Sequence, residues 1–441
     1  MSEPAPRVSG LRIERLLALL VLAGIVHTIA FFAWNGYLPP PYFYEPSGTF
    51  MDMAAPATYA HNGAAYDSFE SIYPPLTFVL IKYLTLGQCH GFNADELARD
   101  CDWLGVVSLL AIYAINVVLV ALAYRKLDRR TWKVRTFALT GGLAMTYALE
   151  RGNVLLFTLT CLLLAYGPLV RSARWRWLFA GLAVNFKVYL VGTLFAQLLR
   201  HRWRWFEGAA LATVLVYLVS FAIYGAGTPG EITRNIANFA GATRASSLLD
   251  IWYPSSLLPV RAVLAGDAEF PVVAALGSQT VATVDALLRG LSLATTLSIV
   301  AAAAASWWRP GPVPMHRLVL LSIGIATINS EVGGYIQMIL IFFVFMERWR
   351  GIGRPVAIVM AYLLCIALDV PVENVPPVVR ESYLSGRNVI AEFTIGAGIL
   401  LRPILVHLML MTLSLVTLRD VLADARTPRE GAAVGPKEAI A

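Results

Sequence analysis

The sequence predicts an all-α polytopic membrane protein, and three observations lead to this fold class. Of the 441 residues, 58% are hydrophobic and only 14% are charged, whereas soluble domains usually carry about 25% charged residues. The apolar residues come in runs of roughly 17–25, the length of helix that crosses a bilayer. Short clusters of Lys and Arg separate many of these runs, a pattern typical of the cytoplasmic loops of membrane proteins.

The apolar runs predict the spanning helices, and the basic clusters predict their orientation. The first run is interpreted as a retained helix, because "AFFAWNGYLPP" is a poor cleavage site for a signal peptide. With the basic clusters inside, both chain termini are cytoplasmic. The predicted spans are 16–34, 104–124, 136–149, 153–170, 207–225, 286–306, 317–328, 335–347, 353–370 and 392–418.

This topology gives a simple domain organisation, with one transmembrane domain between two short tails. Three longer segments are expected on the outer side of the membrane. The expected parts are a cytoplasmic tail over 1–15, a transmembrane domain over 16–418, outer segments near 35–103, 226–285 and 371–391, and a cytoplasmic tail over 419–441.

Residues 178–198 do not fit the pattern, because basic clusters flank both ends of the segment. The segment should therefore enter the membrane and return, but each leg of about ten residues is too short to cross a core of about 30 Å. A single span that violates the charge rule is the alternative. We favour a hairpin that reaches partway, with its tip near "NFKVY".

The first outer segment contains the stretch "YPPLTFVLIKYLTLG". It predicts an amphipathic helix that begins at Pro74 and Pro75 and lies at the outer face. Cys89 and Cys101 lie in the same segment. An oxidising compartment would permit a disulfide between them, although sequence alone does not establish the pairing.

Charged residues gather at the predicted outer turns, starting with "ERGN" between two apolar runs. These four letters place Glu150, Arg151 and Asn153 at the membrane boundary. Asp52 lies in the first outer segment and Glu331 in a later outer turn, whereas Lys187 lies at the tip of the hairpin. Four separate stretches thus bring polar groups toward one side of the membrane.

Each of these residues also has a structural interpretation. Arg151 suits a side chain that snorkels to the interface, and Asp52 suits a helix cap. Glu331 suits a polar contact between helices, and Tyr66 and Tyr73 suit an aromatic belt as well as a sugar-binding surface. Lys187 is the hardest to explain in this way, because an ammonium in an apolar stretch needs a partner or a function.

Together these residues suit the transfer of a group from a lipid phosphate to a hydroxyl. Lys187 or Arg151 would bind the phosphate and stabilise the leaving group. Asp52 would accept the proton of the incoming hydroxyl. No Cys/His spacing or cluster of acidic residues indicates a metal site, so a metal-independent reaction without a cofactor is expected. The net charge of +7 is explained by the cytoplasmic loops and predicts no nucleic-acid partner.

The order of motifs resembles glycosyltransferase family 87, whose members use polyprenol-phosphate sugars and include mycobacterial mannosyltransferases. Asp52 matches the Asp of the family's first outer loop, and Tyr73 begins its "YPP" motif. Gly152 and Asn153 match its Gly-Asn turn, and Lys187 matches its Lys. The chain departs from the family in having no Pro three residues after that Lys, and no His in the turn at Glu331.

The resemblance implies a GT-C type bundle of about 10–13 transmembrane helices, with juxtamembrane helices in the long first outer loop. It further implies inverting transfer of a sugar, mannose by family habit, from a polyprenyl-phosphate donor to a lipid or glycan acceptor at the outer face of a bacterial inner (plasma) membrane. Asp52 would be the general base, and Lys187 and Arg151 would bind the donor phosphate. The expected sugar or acceptor contacts are Glu150, Asn153, Tyr66, Tyr73, Glu331 and Tyr335.

Two other function classes remain open at this point. A lipid-diphosphate-dependent O-antigen polymerase or ligase would use arginines in a large outer loop, and the segment 226–285 contains Arg234, Arg244 and Arg261. A transporter of lipid-linked saccharides would also place ionisable residues in a membrane cavity. A non-enzymatic scaffold would leave the charge of Lys187 without a use.

Overall fold

Helices make up most of the regular structure in the computed structural model, which describes residues 8–42, 45–91, 95–242, 252–266, 275–374 and 376–426. Five of the helices in these ranges are long and apolar enough to cross a membrane. The predicted class, an all-α polytopic membrane protein, is confirmed. The five candidate spans are Gly10–Asn35, Trp103–Leu127, Trp203–Tyr224, Ser278–Trp308 and Gly398–Arg426.

The helices follow one another along the chain with short connections, and short 3₁₀ turns precede α10 and α16. In chain order they are α1 (Val8–Asn35), α2 (Met51–His61), α3 (Pro75–Leu84), α4 (Asp95–Cys101), α5 (Trp103–Leu127), α6 (Trp132–Gly141), α7 (Leu143–Arg151), α8 (Leu155–Tyr166), α9 (Ala173–Phe186), α10 (Gly192–Leu198), α11 (Trp203–Tyr224), α12 (Pro229–Ala242), α13 (Leu258–Leu264), α14 (Ser278–Trp308), α15 (Met315–Asn329), α16 (Gln337–Val344), α17 (Gly353–Leu364) and α18 (Gly398–Arg426).

Several predicted spans are shorter than expected or interrupted. The span predicted at 136–149 is two helices, α6 and α7, because the backbone is extended at Gly142 and the Leu143 amide donates to Cys365 O instead. The spans predicted at 153–170, 335–347 and 353–370 are the short helices α8, α16 and α17. All residues of α16 are buried, so the apolar composition of this segment reflects packing within the protein in addition to the membrane environment.

The last predicted span, 392–418, is also different. Its first residues form a strand, and α18 begins at Gly398 and continues to Arg426, beyond the predicted boundary at 418. The outer segment at 371–391 was predicted as a loop, but together with residues 394–396 it forms two antiparallel pairs of strands. The strands are β1 (Pro371–Asn374), β2 (Val378–Ser382), β3 (Arg387–Ala391) and β4 (Thr394–Gly396), paired β1–β4 and β2–β3.

The segment 178–198 reverses direction at Lys187, as the hairpin interpretation predicted. Gly181 packs beside Ala212, and Asn185 donates to Thr213 O at 2.9 Å, so α9 runs parallel to α11. After Lys187 the chain returns along α15, because Gly192 packs against Ser322 O and Arg200 donates to Val313 O. The first leg has 14 residues rather than about ten.

The first outer segment folds into α2, α3 and α4 around the predicted amphipathic helix. Pro74 and Pro75 begin α3 as expected, and α3 packs against α2 and α11. Cys89 and Cys101 form a disulfide, which resolves the pairing that the sequence left open. Asp102 caps the adjoining helix α5 by accepting from the Gly105 amide at 3.0 Å.

Candidate active site

The position of Asp52 is fixed by a contact between the first outer segment and the "ERGN" turn. Gly152 ends α7 in the left-handed conformation (φ 71°), which favours glycine. A Cβ at Gly152 would lie 3.0 Å from Phe50 Cα, and the Phe50 amide donates to Glu150 O at 2.7 Å. Asp52 therefore enters the first turn of α2 directly beside the turn that carries Arg151 and Asn153.

Asp52 is held by two side chains of that turn. Arg151 Nη2 donates to Asp52 Oδ1 at 2.7 Å, and Asn153 Nδ2 donates to Oδ2 at 2.8 Å. The Asn153 amide is oriented because its Oδ1 accepts from the Leu155 amide at 3.0 Å. About a quarter of the Asp52 side chain stays exposed (23%). Each carboxylate oxygen has two lone pairs, so Asp52 retains capacity to accept a proton.

The second part of the site is Lys187, which lies at the break between α9 and the next 3₁₀ turn. Lys187 is 6% exposed, and its Nζ lies 3.9 Å from the centre of the Tyr73 ring. Among the described residues it forms no hydrogen bond or ion pair through Nζ. The carboxylate of Asp52 acts on it electrostatically across the site. Lys187 is thus a buried cation that faces an aromatic ring rather than a counterion.

Tyr73 connects the two parts of the site. Burial raises the pKa of Tyr73, and the nearby charge of Asp52 adds to the rise. Tyr66 donates from its hydroxyl to Tyr73 O at 2.7 Å, and Thr77 of α3 donates to Phe186 O next to Lys187. The "YPP" helix is therefore tied to the hairpin tip. We call Asp52, Arg151, Asn153, Tyr73 and Lys187 the Asp52 cluster.

Three further tyrosines, Tyr147, Tyr189 and Tyr335, are within electrostatic range of members of the Asp52 cluster. The hydroxyl of Tyr335 interacts electrostatically with Asp52, Tyr73, Tyr147 and Tyr189. The Tyr147 and Tyr335 rings are stacked with their centres 6.2 Å apart. Of the three, only Tyr335 was predicted from the sequence. Tyr147 lies four residues before Arg151, hence on the same helix face, and that spacing is the signal that sequence reasoning missed.

Three of the predicted site residues make contacts within the protein that differ from a substrate contact. Tyr66 is 2% exposed and packs with Phe78 and Tyr224, so it positions Tyr73 rather than lining the site. Glu331 accepts hydrogen bonds from Ser255, Ser256 and the Gly333 amide, which anchors the segment after Tyr253 to the outer turn. For both residues, a direct substrate contact remains a prediction that these contacts do not support.

Glu150, the third of these residues, acts electrostatically on its neighbour Arg151. It lines a small pocket with Thr49, Glu45 and Ser382, and its Oε2 is buried without a hydrogen-bond partner among the described residues. Arg151, predicted to bind phosphate, donates from Nη1 to Gly48 O at 2.7 Å and from Nη2 to Asp52. Both terminal nitrogens thus have acceptors within the protein, and phosphate binding by Arg151 remains a prediction.

The arginines of the segment 226–285 stand apart from the Asp52 cluster as far as the structure describes them. Arg234 is exposed on α12, and Arg261 pairs with Asp285 at 2.9 Å. Arg244 lies outside the described residues. Within the described ranges no group of three or more His, Cys, Asp and Glu side chains is arranged to hold a metal ion. The absence of a metal requirement remains a prediction.

Comparison with known proteins adds one finding. Residues 72–330 match the sequence family described as glycosyltransferase family 87. The matched range contains Tyr73, Asn153 and Lys187 and begins after Asp52. No curated protein and no solved structure matches the chain.

Proposed function

The chain belongs to glycosyltransferase family 87, which makes it a membrane glycosyltransferase, and we propose that it transfers a sugar from a polyprenyl-phosphate donor to a hydroxyl of a lipid or glycan acceptor. The observation that carries the proposal is the Asp52 cluster. It presents a partly exposed carboxylate and, within electrostatic range, a buried ammonium without a counterion among the described residues. Such a transfer uses a proton acceptor beside the incoming hydroxyl and a cation beside the leaving phosphate.

Each residue of the cluster has a role in this reaction. The acceptor oxygen attacks the anomeric carbon as Asp52 takes its proton, and the bond between that carbon and the phosphate oxygen breaks. The electron pair leaves with the phosphate, whose charge Lys187 offsets. Attack opposite the leaving group inverts the anomeric configuration. Arg151 and Asn153 hold Asp52 in position, because each donates to one of its oxygens.

Several finer features belong to the proposal. We propose that the donor sugar is mannose, that the reaction needs no metal, and that Asp52 faces the outer side of a bacterial inner membrane with both chain termini in the cytoplasm. The basic clusters support the orientation. They include Arg135, Arg317 and Arg354, which lie at the ends of their helices remote from Asp52.

The competing functions use the same side chains differently. A transporter uses its ionisable residues for binding or for proton coupling, and it needs no carboxylate that takes the proton of an acceptor hydroxyl. A diphosphate-dependent polymerase would need further cations, whereas the described arginines of the segment 226–285 are exposed or paired with Asp285. A carboxylate oriented by two donors favours chemistry over transport.

The test is sugar transfer in reconstituted vesicles supplied with a panel of polyprenyl-phosphate sugars. We expect one donor to be consumed, and Asp52→Asn to lower turnover by about 10²–10⁴-fold, the usual contribution of a general base. Asp52→Asn should still bind the donor. The matched control is Asp67→Asn, which changes an exposed carboxylate of the same outer segment and should leave turnover unchanged.

Three results would contradict the proposal. If wild type consumes no polyprenyl-phosphate sugar, the donor class is wrong. If Asp52→Asn is as active as wild type, Asp52 is not the base. If the protein moves a lipid-linked saccharide across the vesicle membrane without breaking the sugar–phosphate bond, the transporter interpretation replaces the enzyme.

A further inference from the structure

Tyr189 has a hydroxyl that takes no part in the proposed reaction as described. It lies in the 3₁₀ turn Val188–Val191, two residues after Lys187. The hydroxyl oxygen is buried, and no described residue accepts or donates a hydrogen bond to it. A buried hydroxyl without a partner costs free energy, so its presence at this place calls for a bound partner.

The surroundings of Tyr189 indicate the chemistry of that partner. Tyr189 acts electrostatically on Tyr73, whose ring also carries the Lys187 ammonium. It acts likewise on Tyr335, which is also within electrostatic range of Asp52. Tyr189 and Lys187 belong to one turn, which is closed by the hydrogen bond from the Leu190 amide to Lys187 O at 3.0 Å, and both side chains have Tyr73 as a neighbour. An ammonium only donates hydrogen bonds and a phenol can donate one, and neither has an acceptor in the described protein. One anion with several oxygens would serve both.

We propose that the Tyr189 hydroxyl donates a hydrogen bond to a non-bridging oxygen of the same donor phosphate that the Lys187 ammonium binds. This inference rests on the proposed function. Tyr189 would then hold the leaving group rather than the sugar, and its hydroxyl would strengthen its bond as charge develops on the phosphate. A sugar hydroxyl is the competing partner, since a phenol can bind either.

The experiment uses Tyr189→Phe, which removes the hydroxyl and keeps the ring. The full-length protein in vesicles is tested for binding of a polyprenyl phosphate that carries no sugar, and for transfer from the donor identified by the panel. Tyr83→Phe is the matched control, because Tyr83 is 73% exposed on α3. We expect Tyr189→Phe to weaken binding of the sugar-free lipid phosphate and to lower turnover, each by about 5–30-fold, with Tyr83→Phe unchanged.

A series of deoxy-sugar donors separates the phosphate from the sugar as the partner. If Tyr189 contacts the phosphate, the ratio of wild-type to variant turnover is the same for every deoxy donor. The inference is overturned if the ratio falls to one for a single deoxy donor, or if the sugar-free lipid phosphate binds both proteins equally. If wild type neither binds the lipid phosphate nor uses any phosphate-linked sugar, the proposed function fails instead.

Discussion

Two groups of buried charges occupy opposite ends of the helix bundle, and they are built in different ways. One group lies at the end of the bundle that carries the basic clusters. It joins the starts of α1, α6, α15 and α17 to two later segments, namely α18 and the chain that follows α16. We call it the basic-end network. Its members are Glu14, Arg135, Arg317, Glu347, Arg354 and Asp420.

In the basic-end network every charge has a partner of opposite sign. Arg317 has no exposed surface and donates to both oxygens of Glu347 at 2.6 and 2.7 Å, and to Asp420 at 3.0 Å. Glu14 is equally buried and accepts from Arg135 at 2.7 and 2.8 Å. In the Asp52 cluster, by contrast, Lys187 faces only an aromatic ring among the described residues. Pairing in the basic-end network joins helix ends, whereas in the Asp52 cluster it orients Asp52 and leaves the Lys187 ammonium for the phosphate of the proposed donor.

The largest effect that tests this comparison is expected from Arg317→Met. The change removes the fully buried partner that Glu347 and Asp420 share, and leaves Arg354, among the described residues, as the one arginine that pairs with both. Breaking a buried ion pair typically costs about 3–5 kcal/mol, so we expect the free energy of unfolding of the purified protein to fall by that amount. Turnover per folded molecule should stay near wild type, because the site lies at the other end of the bundle.

The matched control for this change is Arg348→Met, which alters an exposed arginine of the same basic end. Its free energy of unfolding should lie within about 0.5 kcal/mol of wild type. Loss of turnover in Arg317→Met at unchanged stability would show that the basic-end network takes part in the reaction, and the comparison would fail.

Lys187→Met should lower turnover and leave stability intact, which is the reverse of the effect expected for Arg317→Met. It removes a buried ammonium that forms no ion pair with the described residues, so stability should be kept or should rise. Turnover should fall by about 10²–10³-fold, the usual cost of removing one group that stabilises a developing charge. Thermal unfolding and vesicle transfer assays measure the two effects. The control is Lys82→Met, which changes an exposed lysine. If Lys187→Met lowered the free energy of unfolding, the ammonium would have a structural role.

Much of the fold could be predicted because apolar runs and Lys/Arg clusters act over whole helices. The hairpin at Lys187 was predicted from charge on both flanks, and Pro75 marked the start of α3. The break at Gly142 was missed because glycine also occurs inside helices. The strands around Val379 and Ile390 were missed because their stability comes from cross-strand pairing, which a single short segment does not reveal.

The members of the site were predicted better than their contacts. Asp52, Arg151 and Asn153 were expected on one side of the membrane, and the structure brings them into direct contact. The sequence did not show that Arg151 is engaged by Asp52, because side-chain pairing depends on the angle at which two segments meet. Tyr189 was overlooked because a tyrosine in an apolar segment usually packs in the core or belongs to an aromatic belt.

The smallest effect is expected at Glu331. This residue lies on the side of the Asp52 cluster, but its carboxylate is hydrogen-bonded within the protein, as are the carboxylates of the basic-end network. Its two oxygens accept five hydrogen bonds, four from Ser255 and Ser256 and one from the Gly333 amide. Glu331→Gln keeps one acceptor oxygen, so we expect the free energy of unfolding to fall by about 1–2 kcal/mol and turnover to change by no more than about threefold. Glu381→Gln, at an exposed position of β2, is the control. If Glu331→Gln abolished turnover while leaving unfolding unchanged, Glu331 would contact substrate as its position in the sequence suggested, and its five hydrogen bonds would no longer mark it as a structural residue.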